Sequence, residues 1–352
     1  MGSIVWGRMA RGNRPRASFD RAAFLENNLC MKNDGSRVVI GTRGSELALA
    51  QSEIVRQKLR AVEPGLAVEI KIIKTQGDVD ASPIPLDTVG KGWFTKEIED
   101  ALLAGSIDLA VHSLKDLPED LPEGLRIGAF PEREDARDVL VSAGNLPLAG
   151  LRKGAVIGTD SMRRKMQILA LRSDVTVESV RGNVPTRVKK LRDGHYDAIV
   201  IAAAGLIRLG LQKEIAHYFS VDEITPAPGQ GILAVELRAD DAARAELVKK
   251  INDPEAEAAA TAERTFSARV GGGCKEPVGA YAAREGERMM LQGMLARAAV
   301  RQIGVSTQDG VAPAHPSVMR EAVTGPRNQG AALATSLAET MLAKFKDADA
   351  EK

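Results

Sequence analysis

Twice along this chain a short β-branched run leads straight into an amphipathic helical stretch and then into another short apolar run. The first pass begins at "RVVIGT" (37–42), continues through "RGSELALAQSEIVRQKLRAV" and reaches "LAVEIKIIKT" (66–75). Its helical part carries Leu47, Ala50, Ile54, Val55, Leu59 and Val62 at the spacing that lines one helix face, with Ser45 placed to cap the start. Pro64-Gly65 ends that helix. "WFTKEIEDALLAG" then reads as a helix closed at Gly105, and "SIDLAVHS" as the third strand. After "PEREDARDVLVS" (131–142) the pattern restarts: "GAVIGT" (154–159) is a strand, "DSMRRKMQILALR" a helix starting near Asp160, and "VTVESVRG" a strand. "NVPTRVKKLRDG" is the next helix, from Asn183 to Gly194, and "YDAIVIAAAGL" reads as one buried strand. Strands alternating with helices call for a substantially parallel sheet, so the expected class is α/β with two such units.

"ITPAPGQGILAVELR" (224–238) is a Pro/Gly-punctuated crossing that runs into a strand. From about 250 onward the order is a helix, the loop "RVGGGCKEP", the strands "VGAYAARE" and "RMMLQGMLA", and a final helix, which is a smaller α+β third unit. A length of 352 residues suits two or three domains. "QGDVDASPIPLDTVGKG" (76–92) is long and polar for a plain connection and reads as a mobile lid.

With Lys+Arg 48 against Asp+Glu 47 and aromatic residues at 3%, the chain is not a general nucleic-acid binder. It has no apolar run of about 18 residues, so no membrane span is expected. Two cysteines, Cys30 and Cys274, make no disulfide framework, and no Cys/His spacing suggests zinc, so no metal is expected. The reducing cytoplasm, or an organelle stroma, fits that cysteine usage best, and the near-neutral three-unit build suits a monomer. Residues 1–36 are arginine-rich, with Asp20 as their first acid, and read as a transit-like or gene-start extension outside the fold.

Helix starts carry partial positive charge and favour acidic residues, yet here basic ones recur. Arg43 precedes one helix, Arg163 and Arg164 occupy the first turn of another, and Arg181 and Arg187 bracket the start of a third. Each guanidinium alone could be solvated or paired on the surface. Five of them after successive strands point instead to an elongated polyanionic ligand, held by backbone N–H groups and guanidinium forks. Carboxylate and phosphate remain equally open on these residues. In "VHSLKDLP" (111–118) Lys115 and Asp116 follow an apolar strand. They read either as a turn or as a cation and a carboxylate at the sheet edge, where Asp116 could stabilise positive charge or move a proton. His112 reads as a satisfied strand residue. Cys274 follows three glycines, which leave space beside the sulfur for something bulky.

Taken in order, "GTRGSELALAQ", "TQGD", "GKGWFTKEIE", "VHSLKDLP", "REDARD", "GTDSMRR", "RGNVPTR", "AAAGLIRLG", "PAPGQG" and "GGGCKEPVGAY" resemble the porphobilinogen deaminase (hydroxymethylbilane synthase) family over roughly residues 37 to 285. The resemblance implies two domains folded like periplasmic anion-binding proteins plus a smaller α+β domain. The corresponding division is 37–131 with about 226–248, then 132–225, then 249–348. It implies a transferase that joins four porphobilinogen molecules head to tail with loss of ammonia and releases hydroxymethylbilane. The expected cofactor is a dipyrromethane, joined by a thioether to Cys274. Asp116 would be the catalytic carboxylate. Lys115, Thr159, Ser161, Arg163, Arg164, Arg187 and Arg208 would hold the cofactor. Arg43, Ser45, Gln51, Arg181, Asn183 and Gln230 would meet substrate, and Lys91 and Phe94 would lie on the lid. The chain departs from the usual family pattern at Pro185, at Asp160 and in a lid run one residue shorter. A non-catalytic anion binder of the same two-lobed build would account for the arginines, but not for Asp116 and Cys274 together.

Overall fold

The computed structural model describes residues 37–75, 95–271, 277–297 and 316–350. Residues 1–36 with Cys30, the run expected to be a lid with Lys91 and Phe94, and Cys274 therefore lie outside the described residues.

The chain opens with β1 (Arg37–Thr42), α1 (Glu46–Val62), β2 (Ala67–Ile72), α2 (Lys96–Leu103), β3 (Leu109–Ser113) and β4 (Leu125–Ala129). Ser45 caps α1 by accepting a hydrogen bond from the Ala48 amide at 3.3 Å, and Leu49, Val55 and Leu59 turn inward, fully buried. After a crossing at 130–137 come β5 (Asp138–Ser142), β6 (Val156–Gly158), α3 (Met162–Leu171), β7 (Thr176–Glu178), α4 (Val184–Arg192), β8 (Ala198–Ala202), α5 (Ala203–Arg208) and the short β9 (His217–Tyr218). A second crossing returns the chain to β10 (Leu233–Arg238) and α6 (Ala242–Lys249).

Two five-stranded sheets result, ordered β2-β1-β3-β10-β4 and β7-β6-β8-β5-β9. Each contains three parallel strands, β2-β1-β3 in one and β7-β6-β8 in the other. Each also holds one strand delivered by a crossing, β10 in the first and β5 in the second, and both run antiparallel to their neighbours. The sheets are thus mixed rather than simply parallel, because a strand arriving from the other unit enters at the opposite end. "YDAIVIAAAGL" also differs from its expectation. Strand β8 ends at Ala202 and α5 begins at the next residue, a break that an unbroken apolar run conceals.

The third unit comprises α7 (Pro254–Arg269), β11 (Val278–Glu285), β12 (Arg288–Arg297), β13 (Ser317–Pro326) and α8 (Gly330–Ala350), with the strands in an antiparallel meander. It packs closely against the other two. Phe266, Leu291 and Met341 share one core with Leu114, Leu117, Ile232 and Ala234 of the first unit. Met294 and Ala296 pack on Met166 of α3, and Arg320 donates to Gln167 Oε1 at 2.9 Å. One side of this unit therefore braces both sheets.

The two crossings run against each other at Gly231. Its φ is +87°, its carbonyl accepts from the Glu134 amide at 3.0 Å, and an added Cβ would sit 2.4 Å from the Glu134 carbonyl oxygen. Only glycine supplies that backbone at that approach. Gly231→Ala is expected to cost about 2–3 kcal/mol, from left-handed strain plus a clash with backbone that cannot rotate aside. Urea titration followed by circular dichroism checks this, with a loss under about 0.5 kcal/mol as the contrary result.

Candidate active site

At the ends of the parallel strands in the first sheet, local hydrogen bonds fix each turn. Gln51, nearly buried on α1, donates from Nε2 to Ser113 Oγ at 2.7 Å and so ties the helix to the last residue of β3. A single 3₁₀ turn follows, Leu114–Asp116. Leu114 is buried under Gly229 of the second crossing, where a Cβ would come within 2.9 Å of its side chain, and its amide donates to Ile232 O at 3.0 Å. With Leu114 clamped, Lys115 is half-buried and Asp116 faces outward, exposed. Both readings of this stretch hold geometrically, since it is a turn and it sets a cation beside a carboxylate at the sheet edge. Arg43 is half-buried at the end of β1, immediately before the cap residue Ser45. His112 is closed off inside the sheet by Glu236, with Nε2 3.0 Å from Oε2.

The second sheet repeats the arrangement. Ser161 caps α3 by accepting from the Arg164 amide at 3.4 Å, and Asn183 caps α4 through Oδ1 to the Thr186 amide at 2.9 Å. Pro185 falls within the first two helical positions, where a missing N–H costs nothing, so this departure from the family pattern leaves the helix start intact. Thr159 is buried and its amide donates to Glu178 O at 2.8 Å. Asp160 accepts a short hydrogen bond from Ser179 and lies 3.9 Å from the exposed Arg181. Arg187 donates from Nε to Gly182 O at 2.7 Å, and Arg208 donates from Nη2 to Gly231 O at 2.7 Å in the crossing.

Arg163 and Arg164 meet an anion of the protein's own. Asp138, wholly buried at the start of β5, accepts from Arg163 Nη1 at 2.7 Å through Oδ2. Its Oδ1 accepts from Arg164 Nε at 2.9 Å and Nη2 at 2.7 Å. Burial alone would raise its pKa, but the two guanidiniums outweigh that and hold the carboxyl well below the usual carboxylate range. Two positive charges thus face one negative charge, and a positive excess remains at the α3 start. Sequence reasoning located the arginines and overlooked Asp138, whose only signal was an acid opening the apolar run "DVLVS".

Gln230 of the second crossing joins the two units. Its Nε2 donates to Ala136 O at 2.7 Å and to Asp138 Oδ1 at 3.0 Å, while its Oε1 lies 3.4 Å from both Arg164 Nη2 and Lys115 Nζ. Lys115 is pushed down to about 8, chiefly by burial, with Arg164 and Arg163 adding to the effect and Asp116 and Asp138 opposing it. Arg187 is lowered by burial and by Arg164, with Asp160 and Asp116 opposing. Lys115, Asp116, Arg163, Arg164, Arg187 and Gln230 therefore form one electrostatically connected group drawn from both units. Ser161 and Asn183 contribute their side chains to helix caps beside it. Among the described residues, no group of three or more His, Cys, Asp and Glu side chains is set to hold a metal ion. No described helix is long and apolar enough to cross a membrane.

Two α/β units linked by paired crossings, with cations from both gathered near one lysine–aspartate turn, define a two-lobed α/β protein with a basic site between its crossings. Residues 38–246 match the family model described as porphobilinogen deaminase, dipyromethane cofactor binding domain, and residues 258–343 match the C-terminal domain of porphobilinogen deaminase. The chain is 51% identical over 259 residues to the porphobilinogen deaminase of Roseiflexus castenholzii, covering 73% of this chain and 85% of that protein. It is 44% identical over 313 residues to that of Syntrophotalea carbinolica, covering 89% and 94%. Among solved structures, the periplasmic VFT2 domain of BvgS from Bordetella pertussis aligns with TM-score 0.37 and 15% identity, over 67% of this chain and 92% of that one. The chain belongs to the porphobilinogen deaminase family and carries its dipyrromethane cofactor binding domain. It is an enzyme of tetrapyrrole synthesis.

Proposed function

We propose that this enzyme is a transferase that condenses four porphobilinogen molecules head to tail, with loss of ammonia, and releases hydroxymethylbilane. Asp116 is the catalytic carboxylate. When bound, the dipyrromethane supplies the covalent primer for chain growth, and Cys274 is its point of attachment. The observation that carries this reading is the Lys115–Asp116 turn, with Arg163, Arg164 and Arg187 of the other unit in electrostatic reach. Each pyrrole ring brings two carboxylates, and the positive excess left by Asp138 is the complement such a group needs. The residues present therefore fit the cofactor.

In this reading Lys115, Thr159, Ser161, Arg163, Arg164, Arg187 and Arg208 hold the cofactor's side chains. Arg43, Ser45, Gln51, Arg181, Asn183 and Gln230 serve the incoming ring, and Lys91 and Phe94 belong to the lid. Asp116 presents negative charge where loss of ammonia leaves a pyrrolic cation. In the same reading the chain divides into three domains, 37–131 with about 226–248, then 132–225, then 249–348. The test is intact mass. The purified protein is expected to exceed its sequence mass by a covalent two-pyrrole adduct, and Cys274→Ser to abolish both adduct and turnover. Active protein of unmodified mass would overturn the attachment.

A further inference from the structure

A buried carboxylate between two arginines has an obvious structural use, but Asp138 also faces a third partner. The third contact is the Gln230 carboxamide, and its orientation is determined. Nε2 reaches two acceptors, Ala136 O at 2.7 Å and Asp138 Oδ1 at 3.0 Å, so the amide oxygen must point the other way. There it meets Lys115 Nζ and Arg164 Nη2, each at 3.4 Å, which are long contacts with a cation on both sides. The backbone carbonyl of Gln230 is fixed independently by Arg133 Nε at 2.9 Å, so the side chain swings from an anchored base. A connected path thus runs from the second unit's β5 through the crossing to the first unit's turn, in the order Asp138, Gln230, Lys115 and the adjoining Asp116.

We propose that Asp138 is a positioning residue that, through Gln230, holds the Lys115 ammonium charged and in place beside Asp116. A hydrophobic replacement of the buried arginine–aspartate cluster could be as stable, so stability alone does not account for an acid here. Four charged groups act on Lys115. Asp116 and Asp138 favour its protonated form, and Arg164 and Arg163 oppose it. Deleting the Asp138 charge leaves Asp116 alone against two guanidiniums and burial, and it weakens one of the two acceptors that orient Gln230. The proton affinity of Lys115 then falls. The catalytic relevance of this path rests on the function proposed above, but the path itself can be read without turnover.

The experiment is a pH titration of the lysine ¹³Cε resonances in ¹³C-lysine-labelled full-length protein, with Lys115 assigned by its loss in Lys115→Arg. In Asp138→Asn the proton affinity of Lys115 is expected to drop on the order of 10-fold. Asp138→Glu should recover part of the loss. Because Asp138→Asn strands two buried guanidiniums and could fail to fold, Gln230→Leu provides a second arm that leaves the Asp138–arginine pairs in place. It should lower Lys115 proton affinity in the same direction, and the alkaline limb of the turnover–pH profile should move down with it. Unchanged Lys115 titration in folded Gln230→Leu would overturn the proposal. A lowered titration in the variants, with no porphobilinogen turnover by the unsubstituted protein, would support the path and sink the functional reading instead.

Discussion

Asp116→Asn is expected to lower porphobilinogen turnover by ~10³-fold while leaving the unfolding midpoint nearly unchanged. The two halves of that result have separate causes. Asp116 is the exposed last residue of a 3₁₀ turn whose geometry is set by the buried Leu114, so an isosteric amide at 116 disturbs little packing. Its charge is another matter. The carboxylate acts electrostatically on Lys115 of its own turn and on Arg187 of the other unit, so it is a negative charge within a basic region. A cation that develops there has no other carboxylate on that turn to stabilise it. Steady-state kcat, read by product formation, and thermal melts on the same preparation check both halves. A loss in kcat smaller than about 10-fold would remove Asp116 from the mechanism.

The features that sequence could reveal are those encoded within one helix turn or one strand. Ser45 and Asn183 were readable as caps or helix starts because the capping bond spans three residues. Lys115 and Asp116 were readable because the strand before them opens on an apolar run, Leu109 to Val111. By contrast, Asp138 meets Arg163 and Arg164 across 25 and 26 residues, through an antiparallel strand no local pattern announces. The anion that Arg163 and Arg164 meet in this structure is internal, the carboxylate of Asp138. Strands β4 and β13 and helix α6 also escaped notice. Strand β13 is only partly buried over most of its length, so it lacks the apolar run that marked its neighbours, and β10 finds its place between β3 and β4 only once the crossing is folded.

Glu263→Ala is expected to destabilise the protein by about 3–5 kcal/mol, the range for stripping one partner from a buried ion pair. Glu263 is fully buried on α7 and takes four hydrogen bonds from three separate segments. Arg133 in the first crossing supplies Nη1 at 2.7 Å and Nη2 at 3.2 Å, Gly229 in the second crossing supplies its amide at 2.7 Å, and Ala282 of β11 supplies its amide at 2.7 Å. Truncation strands a guanidinium and two backbone N–H groups together, and each unsatisfied donor carries its own desolvation penalty. Arg133 keeps its bonds to Gln230 O and Ala282 O and its place over the Tyr281 ring, so the arginine cannot simply swing into water. Glu263→Gln keeps one acceptor oxygen and the side-chain volume, and should cost roughly half as much. Replacing both partners, Arg133→Met with Glu263→Met, should cost less than Glu263→Ala alone, because no buried charge is left unpaired. Urea titrations of these proteins, together with Arg133→Met and Glu263→Met singly, give the comparison. If Glu263→Ala also splits one transition into two, this carboxylate is what couples the third unit to both crossings. Additive losses in the double variant would instead reduce it to ordinary packing.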